Sequence, residues 1–344
     1  MKNVNLENKI VGDDHPCYFI GEIGNSFSNF QQAKLLIDLA KKVGIDAVKF
    51  QTFKAETITT KSNNFDMEVT GKTSQYEFLK KLEISKELQK QVIDYAKKVG
   101  ITIFSSPGHI NDLEVLEELD IPIYKIGSDV ACHIPLLKKI AELQKPIILS
   151  TGMCTMNEIR ESVNAILSAG NNNLILLHCI SNYPANLEEA NLNAIIEMKK
   201  EFGIPVGYSD HVKGTIASLT AATLGANVIE RHFHDSKNGI FPDDIHALNS
   251  FEFDELIQNI KKIETAKGTG EKKPSESEKQ NLLKNRVSII AIQDIKKGEE
   301  ITEEMIDIRR PGIGISPIHF DEVLGKKAQV DISREIPIQW DMII

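Results

Sequence analysis

Residues 205–235 read PVGYSDHVKGTIASLTAATLGANVIERHFHD, and the reading of this stretch decides the fold. Short apolar runs at 206–208 and 227–230 predict strands, and the small-residue segment between them predicts a helix of roughly ten residues. Strand, helix and strand in so short a span make one βαβ crossover, which sets two neighbouring strands parallel. Each strand delivers a histidine just past its C-terminal end, His211 after the first and His232 after the second. Parallel neighbours lie about 4.8 Å apart, so groups leaving the same end of both converge on one ion. Either histidine alone reads as an ordinary loop residue. Their equivalent placement, beside Ser209, Asp210 and Glu230, points to half of a metal site.

Outward from this stretch the same alternation repeats. Residues 18–23 predict a strand, and 30–43 carry Leu35, Leu36, Leu39, Ala40 and Val43 at helical spacing. AVKFQTF at 47–53 is the next strand, followed by an aperiodic, Thr/Ser/Asn-rich stretch at 55–77 that reads as a long loop. Helices at 86–99, 112–119, 134–143, 156–167 and 191–202 then precede strands at 101–105, 123–126, 146–149, 174–178 and the opening stretch, and a last helix spans about 253–266. Eight strand–helix units over about 265 residues predict an α/β fold, a (β/α)8 TIM barrel with its chemistry at the C-terminal strand ends. The polar residues follow that rule: Glu22, Lys49 and Gln51, Ser105 and Ser106, Lys125 and Ser128, Ser150, His178, Ser209 and His211, then Glu230 and His232. A doubly wound sheet is the alternative, but EIGNSFSN after the first strand is a poor glycine-rich phosphate turn.

The expected organisation is a barrel over 1–268, a polar linker over 269–285, and a small β-rich domain over 286–344, where runs such as VSIIAI and AQVDI alternate with turns. About 60 residues bury little core, so this domain should lean on the barrel or on a second subunit. Composition bounds the function. At 344 residues with 41% hydrophobic and 26% charged residues, the chain reads as an enzyme-sized globular protein. A net charge of −9 argues against nucleic acid and against an anionic membrane surface as partners. No apolar run approaches the ~20 residues of a membrane span, and the first residues lack a signal-like core, so a cytoplasmic location is expected. Cys17, Cys132, Cys154 and Cys179 form no CxxC pair and read as reduced core thiols.

A lysine inside an apolar strand is costly unless it meets an anion, and Lys49 in AVKFQ and Lys125 in YKIGS are so placed. With Ser106, Ser128, Ser150 and Ser209 they would form a ring of ammonium and hydroxyl donors suited to phosphate and carboxylate oxygens. A buried lysine also permits a Schiff-base aldolase, whereas the two histidines favour metal-assisted chemistry.

The ordered set EIG (22–24), AVKFQTF (47–53), FSSP (104–107), YKIGS (124–128), KPIILSTGM (145–153), LLHC (176–179), YP (183–184), GYSDH (207–211), ERHF (230–233), DIKKGE and RRPGIG resembles the sialic acid synthase family. The likeness covers nearly the whole chain. It implies a barrel followed by an antifreeze-like (SAF) domain, in a swapped homodimer where each small domain caps its partner's site. It also implies condensation of phosphoenolpyruvate with an N-acylated hexosamine, N-acetylmannosamine or a 2,4-diacetamido-trideoxyhexose, to a nine-carbon 2-keto-3-deoxy sugar acid. By this resemblance Lys49, Ser106, Lys125, Ser128, Ser150 and Ser209 hold phosphoenolpyruvate, and His211 and His232 bind a divalent ion, Mn²⁺ or else Mg²⁺ or Co²⁺. Glu22 would manage the proton or water, Gln51, Ser181, Tyr183 and Asp243 would contact the sugar, and Arg310 would reach the N-acyl end from the partner. The chain departs from the pattern at Asn25-Ser26-Phe27, at Pro242-Asp243-Asp244-Ile245-His246, and at Ser181, where sialic acid synthases carry Asn. Another barrel aldolase or keto-deoxy sugar acid synthase, and a binding protein without turnover, stand as the competing readings.

Overall fold

In a parallel strand the side chains alternate between two faces, so a barrel strand must send every second residue inward and the rest against a helix. The structure, a computed structural model, describes residues 2–67, 71–235 and 245–344. It divides into two compact units, Met1–Gly268 and Thr269–Ile344. In the first, β1 (Tyr18–Glu22), β2 (Ala47–Thr52), β3 (Thr102–Pro107), β4 (Tyr124–Ile126), β5 (Ile147–Ser150), β6 (Leu174–Cys179), β7 (Val206–Asp210) and β8 (Val228–His232) form a closed barrel in sequential order. Every pairing is parallel, and β8 closes on β1. Closure rules out the doubly wound sheet. The fold is a TIM barrel.

The helices between strands are α1 (Phe30–Val43), α2 (Lys86–Val99), α3 (Asp112–Glu118), α4 (Ile134–Glu142), α5 (Met156–Ser168), α6 (Ala194–Phe202), α7 (Ile216–Thr223) and α8 (Ser250–Lys267). Their ends are written locally. The Asn29 side chain accepts from the Gln32 amide to open α1, and Gly44 ends it in the left-handed conformation. Reciprocal capping boxes open α5 at Thr155–Glu158 and α8 at Asn249–Glu252.

Inward-facing Ile20, Ala47, Phe104, Ile123, Ile148, Leu177 and Val228 make an apolar core inside the barrel, joined by Val4, Leu6 and Val11 of an N-terminal hairpin (Val4–Leu6, Lys9–Val11). Outward-facing residues such as Val48, Phe50, Ile147, Leu149 and Ile229 pack with the apolar faces of the helices in a second, larger core. At Gly207 on β7 there is no room for more: an added Cβ would lie 2.6 Å from Val228 Cβ and 2.7 Å from Leu177 Cδ2. Strands and helices differ from the sequence expectation by up to three residues at their ends; α6 starts at Ala194 and α8 at Ser250, β8 runs through His232, and α7 has eight residues.

The larger difference lies at 55–77. In place of a long loop, the chain forms a short helix (Ala55–Ile58), an antiparallel hairpin (Asn64–Met67 with Gly71–Ser74) and a helix (Gln75–Leu82) capped by Ser74. Cross-strand pairing and an edge-on contact between Phe65 and Phe78, 5.5 Å between centroids, stabilise a segment that has no hydrophobic period to read. The cysteines divide as well: Cys17 and Cys179 are buried, but Cys132 is exposed and Cys154 half-buried.

The second unit is built on isoleucine. β9 (Ser288–Ala291) pairs with β10 (Ile306–Arg309), and Ile289, Ile295, Ile301, Ile306, Ile315 and Ile332 lead its core. The run AQVDI contributes isolated bridges through Ala328 and Ile332 and no named strand. Residues 276–284, expected within a linker, form a turn and the short helix α9 (Lys279–Lys284). Its Leu283 carbonyl accepts from the Gly312 amide at 2.9 Å. No helix of the described residues is long and apolar enough to cross a membrane.

Candidate active site

The alternation that fills the barrel with apolar side chains continues for one more step toward the C-terminal strand ends. That step is polar: Glu22, Lys49, Lys125, Ser150, Ser209, Glu230 and His232 are all buried there. Register sets them side by side, His232 opposite Glu22, Glu22 opposite Lys49, Gln51 opposite Ser106, and Ser209 opposite Glu230.

Two ion pairs dominate the layer. Lys49 pairs with Glu22, with side chains 6% and 1% exposed, and the other Glu22 oxygen accepts the Gly24 amide. Lys125 Nζ donates to Ser150 Oγ at 2.6 Å and lies 3.5 Å from Glu230 Oε1, which also accepts from Ser209 Oγ at 2.8 Å. Burial pushes the Glu230 carboxyl up, but the Lys125 and Lys49 ammonium groups and the Ser209 hydroxyl outweigh it and hold the group at about 2. Glu230 is therefore an anion. Two ammonium groups and two carboxylates lie buried together, and an incoming anion would compete with Glu22 and Glu230 for the same donors.

Beside this cluster stands a histidine corner. The His211 and His232 rings are 5.6 Å apart, and Tyr183 lies 4.2 Å from His211. His211 Nδ1 is 2.7 Å from the Ile180 carbonyl, which can only accept, so Nδ1 carries the proton and Nε2 keeps its lone pair. Nε2 sits 3.5 Å from Ser209 Oγ. Burial first, then the neighbouring His232, lowers His211 to about 3 and keeps the ring neutral. A neutral, oriented imidazole next to a second one suits a borderline divalent ion. Among the described residues no three His, Cys, Asp or Glu side chains are placed to hold a metal together. Two imidazoles with water or substrate in the remaining positions is the arrangement these residues fit.

On the β4–β5–β6 side, Ser128 Oγ accepts the Gly152 amide at 2.9 Å and contacts Cys179 Sγ at 3.0 Å. A Cβ on Gly152 would collide with Ser181 Oγ and lie 2.9 Å from both Ser128 Oγ and Cys179 Sγ, so the bare backbone is what lets the three polar atoms close around one spot. Ser106, Gln51 and Tyr183 are half-buried at the same mouth. Asp243 lies outside the described residues. Arg310 is exposed in the second unit, after β10.

Three residues outside the expected site belong to the description. Glu230 was visible as a strand-end residue, yet only the fold shows it beside Lys125. His246 is buried, with its ring 4.7 Å from His232 and 5.6 Å from Tyr183. Arg231, pointing outward from β8, pairs with Asp210 at 2.5 Å and donates to the Val212 carbonyl at 2.9 Å and the His246 carbonyl at 3.0 Å. Its guanidinium ties together the two segments that carry His211 and His246. The offset of one between His232 and Arg231 was the available signal, since neighbours on a strand face opposite sides.

Residues 36–272 match the NeuB family and residues 286–344 the SAF domain. The chain is 42% identical to N,N'-diacetyllegionaminic acid synthase of Campylobacter jejuni, over 90% of this chain and 95% of that one. Pseudaminic acid synthase of Helicobacter pylori is 34% identical over 93% and 95%. Among solved structures, the N-acetylneuraminic acid (sialic acid) synthetase of Leptospira borgpetersenii superposes with a TM-score of 0.73 at 29% identity, covering 82% of this chain and 95% of that one.

Proposed function

This chain belongs to the NeuB family of nonulosonic acid synthases, and from that premise we propose that it condenses phosphoenolpyruvate with an N-acylated hexosamine. The products are a nine-carbon 2-keto-3-deoxy sugar acid and phosphate. The observation that carries the proposal is the pairing, at one barrel mouth, of two buried ammonium groups ringed by hydroxyls with the adjacent His211 and His232 imidazoles. An anion clamp next to a carbonyl-activating corner is what a condensation of this kind requires. The greater likeness to a diacetyllegionaminic acid synthase than to the human N-acetylneuraminate-9-phosphate synthase, 42% against 32% identity, favours a 2,4-diacetamido-trideoxyhexose over N-acetylmannosamine.

In this reading Lys125, Ser150 and Ser209 take one anionic end of phosphoenolpyruvate, and Ser128 with the Gly152 cradle takes the other. Lys49 and Ser106 would complete the clamp, Gln51, Ser181 and Tyr183 would line the sugar's approach, and Asp243 would contact the sugar by family resemblance. His211 and His232 would hold a divalent ion, manganese by family resemblance, which when bound would polarise the aldehyde of the open-chain sugar. C3 of phosphoenolpyruvate attacks that aldehyde carbon, water adds at C2, and the C2–O bond to phosphate breaks. Glu22, held by Lys49 and the Gly24 amide, would manage the proton or water. Arg310 would reach the N-acyl group from a partner chain in a swapped homodimer, and the enzyme would work in the cytoplasm.

The test is phosphate release from phosphoenolpyruvate with Mn²⁺ across a panel of N-acetylmannosamine and diacetamido-trideoxy sugars, with and without EDTA. Release that depends on one sugar and stops with EDTA is expected. Phosphoenolpyruvate binding by calorimetry without release for any sugar would favour the binding-protein reading.

A further inference from the structure

Two of the cysteines stand apart from the chemistry above. Cys132 lies in the loop between β4 and α4, and Cys154 in the loop between β5 and α5, yet their sulfurs are 3.7 Å apart. Both loops are pinned. The Ser162 hydroxyl on α5 donates to the Ala131 carbonyl at 2.8 Å, and the Thr155–Glu158 capping box fixes the chain just after Cys154. Cys132 is exposed, so a small oxidant reaches it; Cys154 is half-buried behind it.

We propose that Cys132 and Cys154 form a peroxide-sensitive dithiol that closes to a disulfide between these two active-site loops. A disulfide needs sulfurs about 2.05 Å apart, so the pair must close by roughly 1.6 Å, within reach of rotation about the two Cα–Cβ bonds. The chemistry balances with a peroxide as oxidant. The Cys132 sulfur attacks one peroxide oxygen, the O–O bond breaks, and one water leaves a sulfenic acid behind. Cys154 then attacks that sulfur, forms the S–S bond and releases the second water, so two thiols and hydrogen peroxide give one disulfide and two waters. Burial, with Cys132 alongside, pushes the Cys154 thiol up to about 12, which leaves the exposed Cys132 as the sulfur that meets the oxidant first.

The other two thiols are differently placed. Cys179 is buried with its sulfur against Ser128 Oγ at 3.0 Å, and burial pushes Cys17 well above the ordinary thiol range. The bond would reach the pocket through short connections, since Ser128 and Gly152, already joined by a 2.9 Å hydrogen bond, lie just upstream of Cys132 and Cys154. The oxidised form would therefore hold the Ser128–Gly152 cradle in one geometry and melt at a higher temperature than the reduced form.

The full chain is treated with increasing hydrogen peroxide, its thiols are counted after denaturation, and the peptides are mapped by mass spectrometry. Expected is loss of two of the four thiols, one linked peptide pair joining Cys132 to Cys154, and full recovery with dithiothreitol. Retention of all four thiols, a sulfinic acid at Cys132 with no link, or a link through Cys17, Cys179 or a second chain would overturn the proposal. Under the same treatment Cys132→Ser should keep its three thiols, while Cys154→Ser should lose one, carrying a sulfenic or sulfinic acid at Cys132 with no linked peptide pair. A disulfide forming in either one would equally count against it.

Discussion

β7 and β8 carry buried charge on both their faces, and the two faces use it differently. On the outer face Asp210 and Arg231 are fully buried and paired with each other: the guanidinium also reaches two backbone carbonyls through its two terminal nitrogens, and the Asp210 carboxylate accepts the Ser218 hydroxyl and the Val212 amide. On the inner face Glu230, Lys125 and Ser209 are also buried, but they lie in a cluster with Lys49 and Glu22 beside the histidine corner. A buried pair tied into the surrounding chain segments serves the fold, while one whose donors an incoming anion can share serves chemistry. The difference is one residue of register.

Substitutions on the two faces should separate these roles. Removing the inner cation, Lys125→Ala, is expected to lower turnover by about 10³-fold, because a preorganised donor to a developing charge is lost. Its melting temperature should fall only modestly, since Glu230 keeps the Ser209 hydroxyl and the field of Lys49. Removing the outer cation, Arg231→Met, should cost about 3–5 kcal/mol of stability by stranding Asp210, read from denaturant titration. If Lys125→Ala proves the less stable of the two, the division of labour between the faces is wrong.

Smaller effects sharpen the picture. His232→Ala should weaken Mn²⁺ binding by at least tenfold in calorimetry, with phosphoenolpyruvate binding nearly unchanged. Unchanged Mn²⁺ affinity would remove His232 from the metal site. Arg310→Ala is expected to raise the sugar's KM several-fold with little change in the KM for phosphoenolpyruvate. In a swapped dimer, mixing unfolded Arg310→Ala and Lys125→Ala chains and refolding them together would restore some sites to full activity. A mixture whose activity at low sugar only matches the average of its two parents would argue that each site is built from one chain.

Much of this architecture was legible in the sequence. Strand and helix units of a barrel are local, and each carries its own period, caps and turn residues, as Asn29 and Gly44 do around α1 or Thr155 and Glu158 at α5. Sequential parallel pairing then follows from the crossovers, and residues such as Lys49, Lys125, Ser150 and Ser209 come to one mouth because strand ends share a direction. The polar hairpin at 64–74 was not legible, because its pairing has no hydrophobic period behind it. Nor were the partnerships within the mouth. That Lys125 meets Glu230, that His246 packs on His232, and that Arg231 turns outward to hold the loop segments at Val212 and His246 depend on register between segments far apart in the chain. The sequence by itself determined which side chains reach the barrel mouth, since strand direction and alternation are local properties. Tertiary structure alone decided which of them touch, because contact across a closed sheet is fixed by packing the whole ring at once.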